Sequence, residues 1–280
     1  MISVKDFTRE KVIYYIKKAD NMSQMCQGKT LINLFYEPST RTSCSFHTAM
    51  LKLGGNVIEI TDNSSAKKGE SLEDTIKTVS NYGDIIVLRH SEKGSAERAA
   101  KVSTIPLINA GDGNGEHPTQ ALLDIYTIYQ ESTKDILNDE LIVTFVGDIK
   151  NSRTIHSLIH LLNLFRVTYI FISPPGLELE TTEFNGLNIL NLSLEEALKI
   201  TDVVYVTRIQ KERTNEEFKP ICLSKEILGT KDFIIMHPLP RQEELPPEID
   251  NDPRAVYFKQ VAYGVKMRMA ILHEYLILKN

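Results

Sequence analysis

The chain has 280 residues, enough for two domains of about 100–200 residues, each with its own core. Hydrophobic residues make up 42% and charged residues 25%, a globular composition that excludes a disordered or fibrous chain. Thirty-two basic against thirty-seven acidic side chains give a net charge of −5, which argues against nucleic acid or an anionic membrane as the main partner. Any cationic site must therefore be local. No apolar run approaches the roughly 18 residues of a membrane span, and Met1-Ile2-Ser3-Val4-Lys5-Asp6-Phe7 lacks the apolar core of a signal peptide, so the cytoplasm is the expected compartment. Cys26, Cys44 and Cys222 are odd in number and far apart, and read as free thiols rather than a disulfide framework or zinc cluster.

A first helix is expected over 6–19, then a strand over 30–36 that runs through Glu37-Pro38 into Ser39, Thr40, Arg41 and Thr42. An amphipathic helix follows at once: Phe46, Ala49, Met50 and Leu53 are spaced i, i+3, i+4, i+7, and Gly54-Gly55 stops it. Its start offers unpaired backbone N–H groups, a positive dipole end, three hydroxyls and a guanidinium, which together make an anion site without a P-loop. The plain alternative is a Ser/Thr cap on a surface helix. Next come a strand over 56–60, a polar loop, a helix over 71–82 with Leu72, Ile76 and Val79 at helical spacing, and strands over 85–88 and 105–108. A helix from Pro118 to about Tyr129 and a polar linker over 130–140 close this half.

The pattern restarts with a strand over 141–146, Gly147-Asp148, a helix over 154–165, and strands over 168–172, 203–207 and 233–236. The last helix, over 260–278, carries Val265, Met269, Leu272 and Leu276 on one face. The fold class is therefore α/β: two doubly wound domains, each with a mainly parallel sheet flanked by helices, over 1–130 and 131–261. In such sheets ligands collect beyond the carboxyl ends of the strands. The unusual polar clusters fall there: residues 39–42, Arg89-His90, 109–120, 148–153, 208–213 and 237–241. A cleft between the sheets lined by Arg41, Arg89, Arg153, Arg208 and Arg213 would suit substrates with several negative charges.

Taken together, Phe35-Tyr36-Glu37-Pro38-Ser39-Thr40-Arg41-Thr42, His117-Pro118-Thr119-Gln120 and His237-Pro238-Leu239-Pro240 resemble the transcarbamylases. Thr207-Arg208-Ile209-Gln210-Lys211-Glu212-Arg213 narrows the resemblance to the aspartate carbamoyltransferases. The resemblance implies transfer of a carbamoyl group from carbamoyl phosphate to L-aspartate, early in pyrimidine synthesis, with no cofactor and no metal. It also implies a carbamoyl-phosphate domain, with the C-terminal helix (262–280) packed back onto it, an aspartate domain, an active site in the interdomain cleft and a catalytic homotrimer with shared sites. Whether a regulatory chain binds is left open.

In that pattern Ser39, Thr40, Arg41, Thr42 and Arg89 take the phosphate, and Thr42, Arg89 and His117 take the carbonyl oxygen. Gln120 and the backbone carbonyls of Pro238 and Leu239 hold the carbamoyl amine. Arg153 takes one aspartate carboxylate, and Arg208 with Gln210 takes the other. Glu37 and Arg213 serve domain closure. The loop over 64–70 carries Ser64 and Lys68 into the adjacent subunit's site, with Lys68 reaching both substrates. The chemistry fits, because charge grows on the leaving phosphate and fixed cations then stabilise the transition state more than the ground state. Ser43 and His47 depart from the family pattern, where arginine and glutamate are frequent.

Gly111-Asp112-Gly113-Asn114-Gly115 suggests a dinucleotide loop, but Glu116 stands where the pattern needs its last glycine. His156 and His160 share a helix face without the glutamate of H-E-x-x-H, which favours packing over metal. The rivals are ornithine carbamoyltransferase, whose cationic acceptor would want acidic partners, and a non-catalytic phosphate-ligand protein of the same fold.

Overall fold

The computed structural model describes residues 1–61, 69–213 and 216–278. They divide into two compact units, Met1–Leu123 with Val261–Asn280, and Asp124–Gln260.

In the first unit β1 (Thr30–Phe35), β2 (Asn56–Thr61), β3 (Ile85–His90) and β4 (Leu107–Asp112) form a parallel sheet in the order β2-β1-β3-β4. The central strands β1 and β3 are nearly continuous apolar runs, as burial on both faces requires. Ile32, Leu34, Ile86 and Leu88 pack with Ile76, Val79 and Ala99 from the covering helices. Those helices are α1 (Arg9–Ala19), α2 (Thr40–Lys52), α3 (Leu72–Val79) and α4 (Ser95–Val102).

Several boundaries differ from those expected. The segment before α1 is a 3-10 turn at Val4–Asp6, and Thr8 then caps α1 by accepting from the Lys11 amide at 3.3 Å. Helix α3 ends at Val79, where the Tyr82 amide turns back to the Val79 carbonyl. Strand β4 runs on to Asp112 because its ladder with β3 continues, after an irregularity, to the pair His90 and Asp112. Helix α4 was not anticipated, since its buried face consists of small residues, Ser95, Ala96 and Ala99, which give a weak apolar period. Helix α5 (Pro118–Glu131) begins in this unit and ends in the next, and residues 121–128 are all buried.

In the second unit β5 (Leu141–Val146), β6 (Val167–Ile172), β7 (Asn188–Ile189), β8 (Val203–Val206) and β9 (Ile234–Met236) form a parallel sheet in the order β7-β6-β5-β8-β9. Helices α6 (Arg153–Leu162), α7 (Leu194–Ile200) and α8 (Lys225–Leu228) belong to it. Its core joins Val146, Val204, Val206 and Ile235 to Leu198, Leu223, Leu245 and Tyr257.

Helix α9 (Tyr257–His273) starts three residues earlier than expected and passes into a π-helical turn at Glu274–Leu278. It is not one-faced: Met267, Arg268, Met269, Ala270, Ile271, Leu272, His273 and Glu274 are all buried. Arg268 and Glu274 both find polar partners, as burial demands. Arg268 Nη1 donates to Ser45 Oγ at 2.9 Å, and Lys11 donates to Glu274. No helix of the described residues is long and apolar enough to cross a membrane.

Candidate active site

Each unit carries its own half of the predicted residues. In the first, β1 delivers the chain to Ser39, whose non-helical backbone (φ −157°, ψ 84°) starts α2 and whose carbonyl accepts from the Ser43 amide at 3.1 Å. The Ser39 side chain makes no capping bond, and the first turn holds no acidic residue. Thr42 is buried and Arg41 exposed in that first turn, and a helix start is the kind of backbone that can bind an anion. The sheet register sets Phe35 opposite Arg89. The Tyr36 amide donates to the Arg89 carbonyl at 2.9 Å, and Arg89 Nε donates to Glu37 Oε2 at 3.0 Å.

A further network ties α2 to the sheet. The buried Asn33 amide on β1 donates to Ser43 Oγ at 3.0 Å and to both Glu59 oxygens at 2.9 Å, and His47 Nδ1 lies 2.6 Å from Glu59 Oε1. The two departures from the family pattern, Ser43 and His47, therefore share one carboxylate.

Beyond β4, Asp112 Oδ2 accepts from the Gly94 amide and Oδ1 from the Glu116 amide, both at 3.0 Å. Gly113 has φ +52°, and a Cβ there would lie 2.4 Å from the Ser91 carbonyl oxygen, a close approach only glycine allows. The chain then reaches His117, 3% exposed, whose carbonyl accepts from Gln120 and Ala121 as α5 begins at Pro118.

In the second unit the loop after β5 and the loop after β8 are bound into one body. Gly147 has φ +117°, and a Cβ there would sit 2.1 Å from the Thr207 carbonyl oxygen. The fully buried Asp148 accepts from the Asn151 amide at 3.0 Å on Oδ1 and from the Gln210 amide at 2.9 Å on Oδ2. Arg213 Nη1 donates to the Asn151 carbonyl at 2.7 Å. Arg153, buried at the first position of α6, sits on one of these loops, and Arg208, Gln210 and Arg213 on the other. Arg208 Nη1 donates to the Ile209 carbonyl at 3.0 Å.

The loop after β9 is set by His237. Its Nδ1 accepts from the Leu239 amide at 2.8 Å, which leaves Nε2 to carry the proton donated to Glu244 Oε1 at 3.0 Å. Burial pushes the imidazole pKa down despite Glu244. Burial works to raise Glu244, but hydrogen bonds from His237 and the Gln242 amide outweigh it and hold that carboxyl below its ordinary value. Leu239 stands at φ +55°, and the Leu239–Pro240 peptide is cis. Behind the loop a buried chain runs from the His237 amide to Gln260 Oε1, from Gln260 Nε2 to Asp124 at 2.6 Å, and from Tyr205 Oη to Asp124 at 2.8 Å.

Ser64 and Lys68 lie outside the described residues. His156 and His160 both pack against Phe184, with ring centroids at 5.8 and 4.8 Å, and His156 Nε2 lies 2.9 Å from the Ile149 carbonyl. Among the described residues no group of three His, Cys, Asp or Glu side chains is placed to hold a metal. Sequence reasoning passed over Asp124, Glu244 and Gln260, and read Glu116 only as the residue that breaks the glycine motif. Of these only Glu244 had a local signal, a carboxylate seven residues after His237 and inside the same turn-rich segment.

Residues 1–130 match the family model described as the aspartate/ornithine carbamoyltransferase carbamoyl-P binding domain, and residues 139–275 match its Asp/Orn binding domain. The chain is 46% identical to the aspartate carbamoyltransferase catalytic subunit of Methanococcus maripaludis (strain C5), over 97% of this chain and 96% of that one. Among solved structures it is similar to the catalytic subunit of M. jannaschii aspartate transcarbamoylase, with a TM-score of 0.91, 44% identity and coverage of 100% and 98%. It is also similar to aspartate transcarbamoylase from Trypanosoma cruzi in complex with carbamoyl aspartate and phosphate, with a TM-score of 0.90, 37% identity and coverage of 99% and 95%.

Proposed function

We infer the reaction of this chain from the family to which it belongs, the aspartate/ornithine carbamoyltransferases. It transfers the carbamoyl group of carbamoyl phosphate to the amine of L-aspartate, giving N-carbamoyl-L-aspartate and phosphate. The observation that carries aspartate as acceptor is the loop after β8. Arg208 and Arg213, two guanidiniums, ride on it beside Gln210, and Asp148 pins it to the loop of Arg153. That donor set suits a second substrate with two carboxylates.

Ser39, Thr40, Arg41, Thr42 and Arg89 bind the phosphate as it leaves. Thr42, Arg89 and His117 stabilise the oxyanion that forms when the amine attacks the carbonyl carbon. Gln120 and the carbonyls of Pro238 and Leu239 accept from the carbamoyl amine. Arg153 binds one carboxylate of aspartate, and Arg208 and Gln210 the other. Glu37 and Arg213 exchange their present partners for others when both substrates bind. The first unit is the carbamoyl-phosphate domain and the second the aspartate domain. The working form is a homotrimer in the cytoplasm, where unpaired thiols persist, and Ser64 and Lys68 complete a neighbour's site.

Formation of carbamoylaspartate by the purified chain, with ornithine as control acceptor, tests the reaction; ornithine turnover in its place would overturn it. Trimers mixed from inactive Arg41→Ala and Lys68→Ala chains should regain activity, and failure to do so would refute the shared site.

A further inference from the structure

Glu116, the residue that breaks the apparent glycine motif, is the anchor of a strap that crosses the first unit. Its Oε1 accepts from Ser3 Oγ at 2.9 Å, and its Oε2 accepts from the Val4 amide. Residues 1–4 are themselves laid along β4: the Asn109 amide donates to the Met1 carbonyl and Asn109 Nδ2 to the Ile2 carbonyl, both at 2.9 Å. On the other flank, Asp112 ties the Glu116 amide to the loop that follows β3. Glu116 is thus held by its carboxylate on one side and by its backbone on the other, one peptide before His117.

We propose that Glu116, through Ser3 and Val4, is a positioning residue for His117 in the carbamoyl-transfer step. The inference rests on the role given above to His117. The His117 backbone already begins α5, so its position depends on where that helix enters and where the preceding residue is fixed. Removing the Glu116 carboxylate releases the loop from the strap but leaves Asp112 and the helix intact. The result is a misplaced donor rather than a lost element. A displacement of about 1 Å in such a donor costs up to about a hundredfold in rate.

The test is a double-mutant cycle on the full chain. Glu116→Ala should lower kcat by about tenfold or more, with KM for L-aspartate within about twofold of the parent. Glu116→Gln, which keeps one acceptor for the strap, should restore most of that loss. Ser3→Ala should give a smaller loss of the same kind and carries the test if Glu116→Ala does not fold. In a His117→Ala background the Glu116 substitutions should have no further effect on kcat. Losses that multiply in the double variant, or an unchanged kcat in Glu116→Ala and Ser3→Ala, would overturn the positioning role. If His117→Ala itself retained full activity, the assignment of His117 would fail instead, so the two failures are distinguishable.

Discussion

Gly147→Ala tests whether the two loops to which we assign the second substrate behave as one body. The added Cβ would lie 2.1 Å from the Thr207 carbonyl oxygen, whereas ordinary contact begins at 3.4 Å, so the loops must part by about 1.3 Å (3.4 − 2.1) or the backbone must leave φ +117°. The strained φ contributes about 1–3 kcal/mol and the overlap about another 1–3, giving a destabilisation of roughly 2–6 kcal/mol. Parting the loops also stretches the 2.9 Å bond from the Gln210 amide to Asp148 and shifts Arg208 and Gln210 away from Arg153. We expect kcat/KM for aspartate to fall about a hundredfold, with the affinity for inorganic phosphate, which we assign to residues of the other unit, within about twofold. Urea unfolding gives the stability change, and initial rates at saturating carbamoyl phosphate give the kinetic one. A variant that is destabilised as stated but keeps its kcat/KM for aspartate would refute the coupling between loop spacing and substrate reading.

Arg41→Ala should lower kcat by about 10²–10³-fold, and more than it weakens phosphate binding, because the charge it faces grows as the leaving group departs; a larger effect on binding than on turnover would contradict this. Asn33→Leu strips the buried amide from Glu59 and Ser43 and should cost about 1–3 kcal/mol in urea unfolding, while a neutral result would show the network to be idle. Burial lowers the folded pKa of His90, His156, His237 and His273 from the ordinary 6.5. The unfolded chain then binds more protons at acid pH, so stability is full above about pH 6.5 and declines below it; equal urea midpoints at about pH 8 and 5.5 would contradict the sign. Asp250, held at about 2 chiefly by its bond from Arg241, adds a loss only at pH below its ordinary 3.8.

The alternation of strands and helices was legible because β1, β3, β5 and β8 are apolar runs ended by polar turns. The two-residue β7 carries no period at all. Helix α7 did carry a signal, the capping box of Ser193 and Glu196, though its seven residues are too few for a clear apolar face. The burial of the C-terminal half of α9 and of the turn that follows could not be read from spacing, since Arg268 and Glu274 look like a solvated side until Ser45 and Lys11 are brought to them from more than two hundred residues away. The same limit applies to the site. Arginines at strand ends stand out in a sequence, but the groups that fix the loops carrying them, such as Asp148 on the Gln210 amide, depend on which loops the sheet order makes neighbours.

The tautomer of His237 restricts proton traffic. With one ring nitrogen saturated by the Leu239 amide and the other giving its hydrogen to Glu244, this imidazole has no lone pair left to take a proton from the acceptor nitrogen. It is a buttress for the carbonyls beside it. The proton shed by nitrogen as the new C–N bond forms must leave by another route, and the leaving phosphate, whose charge and basicity grow as its C–O bond breaks, is a group able to take it.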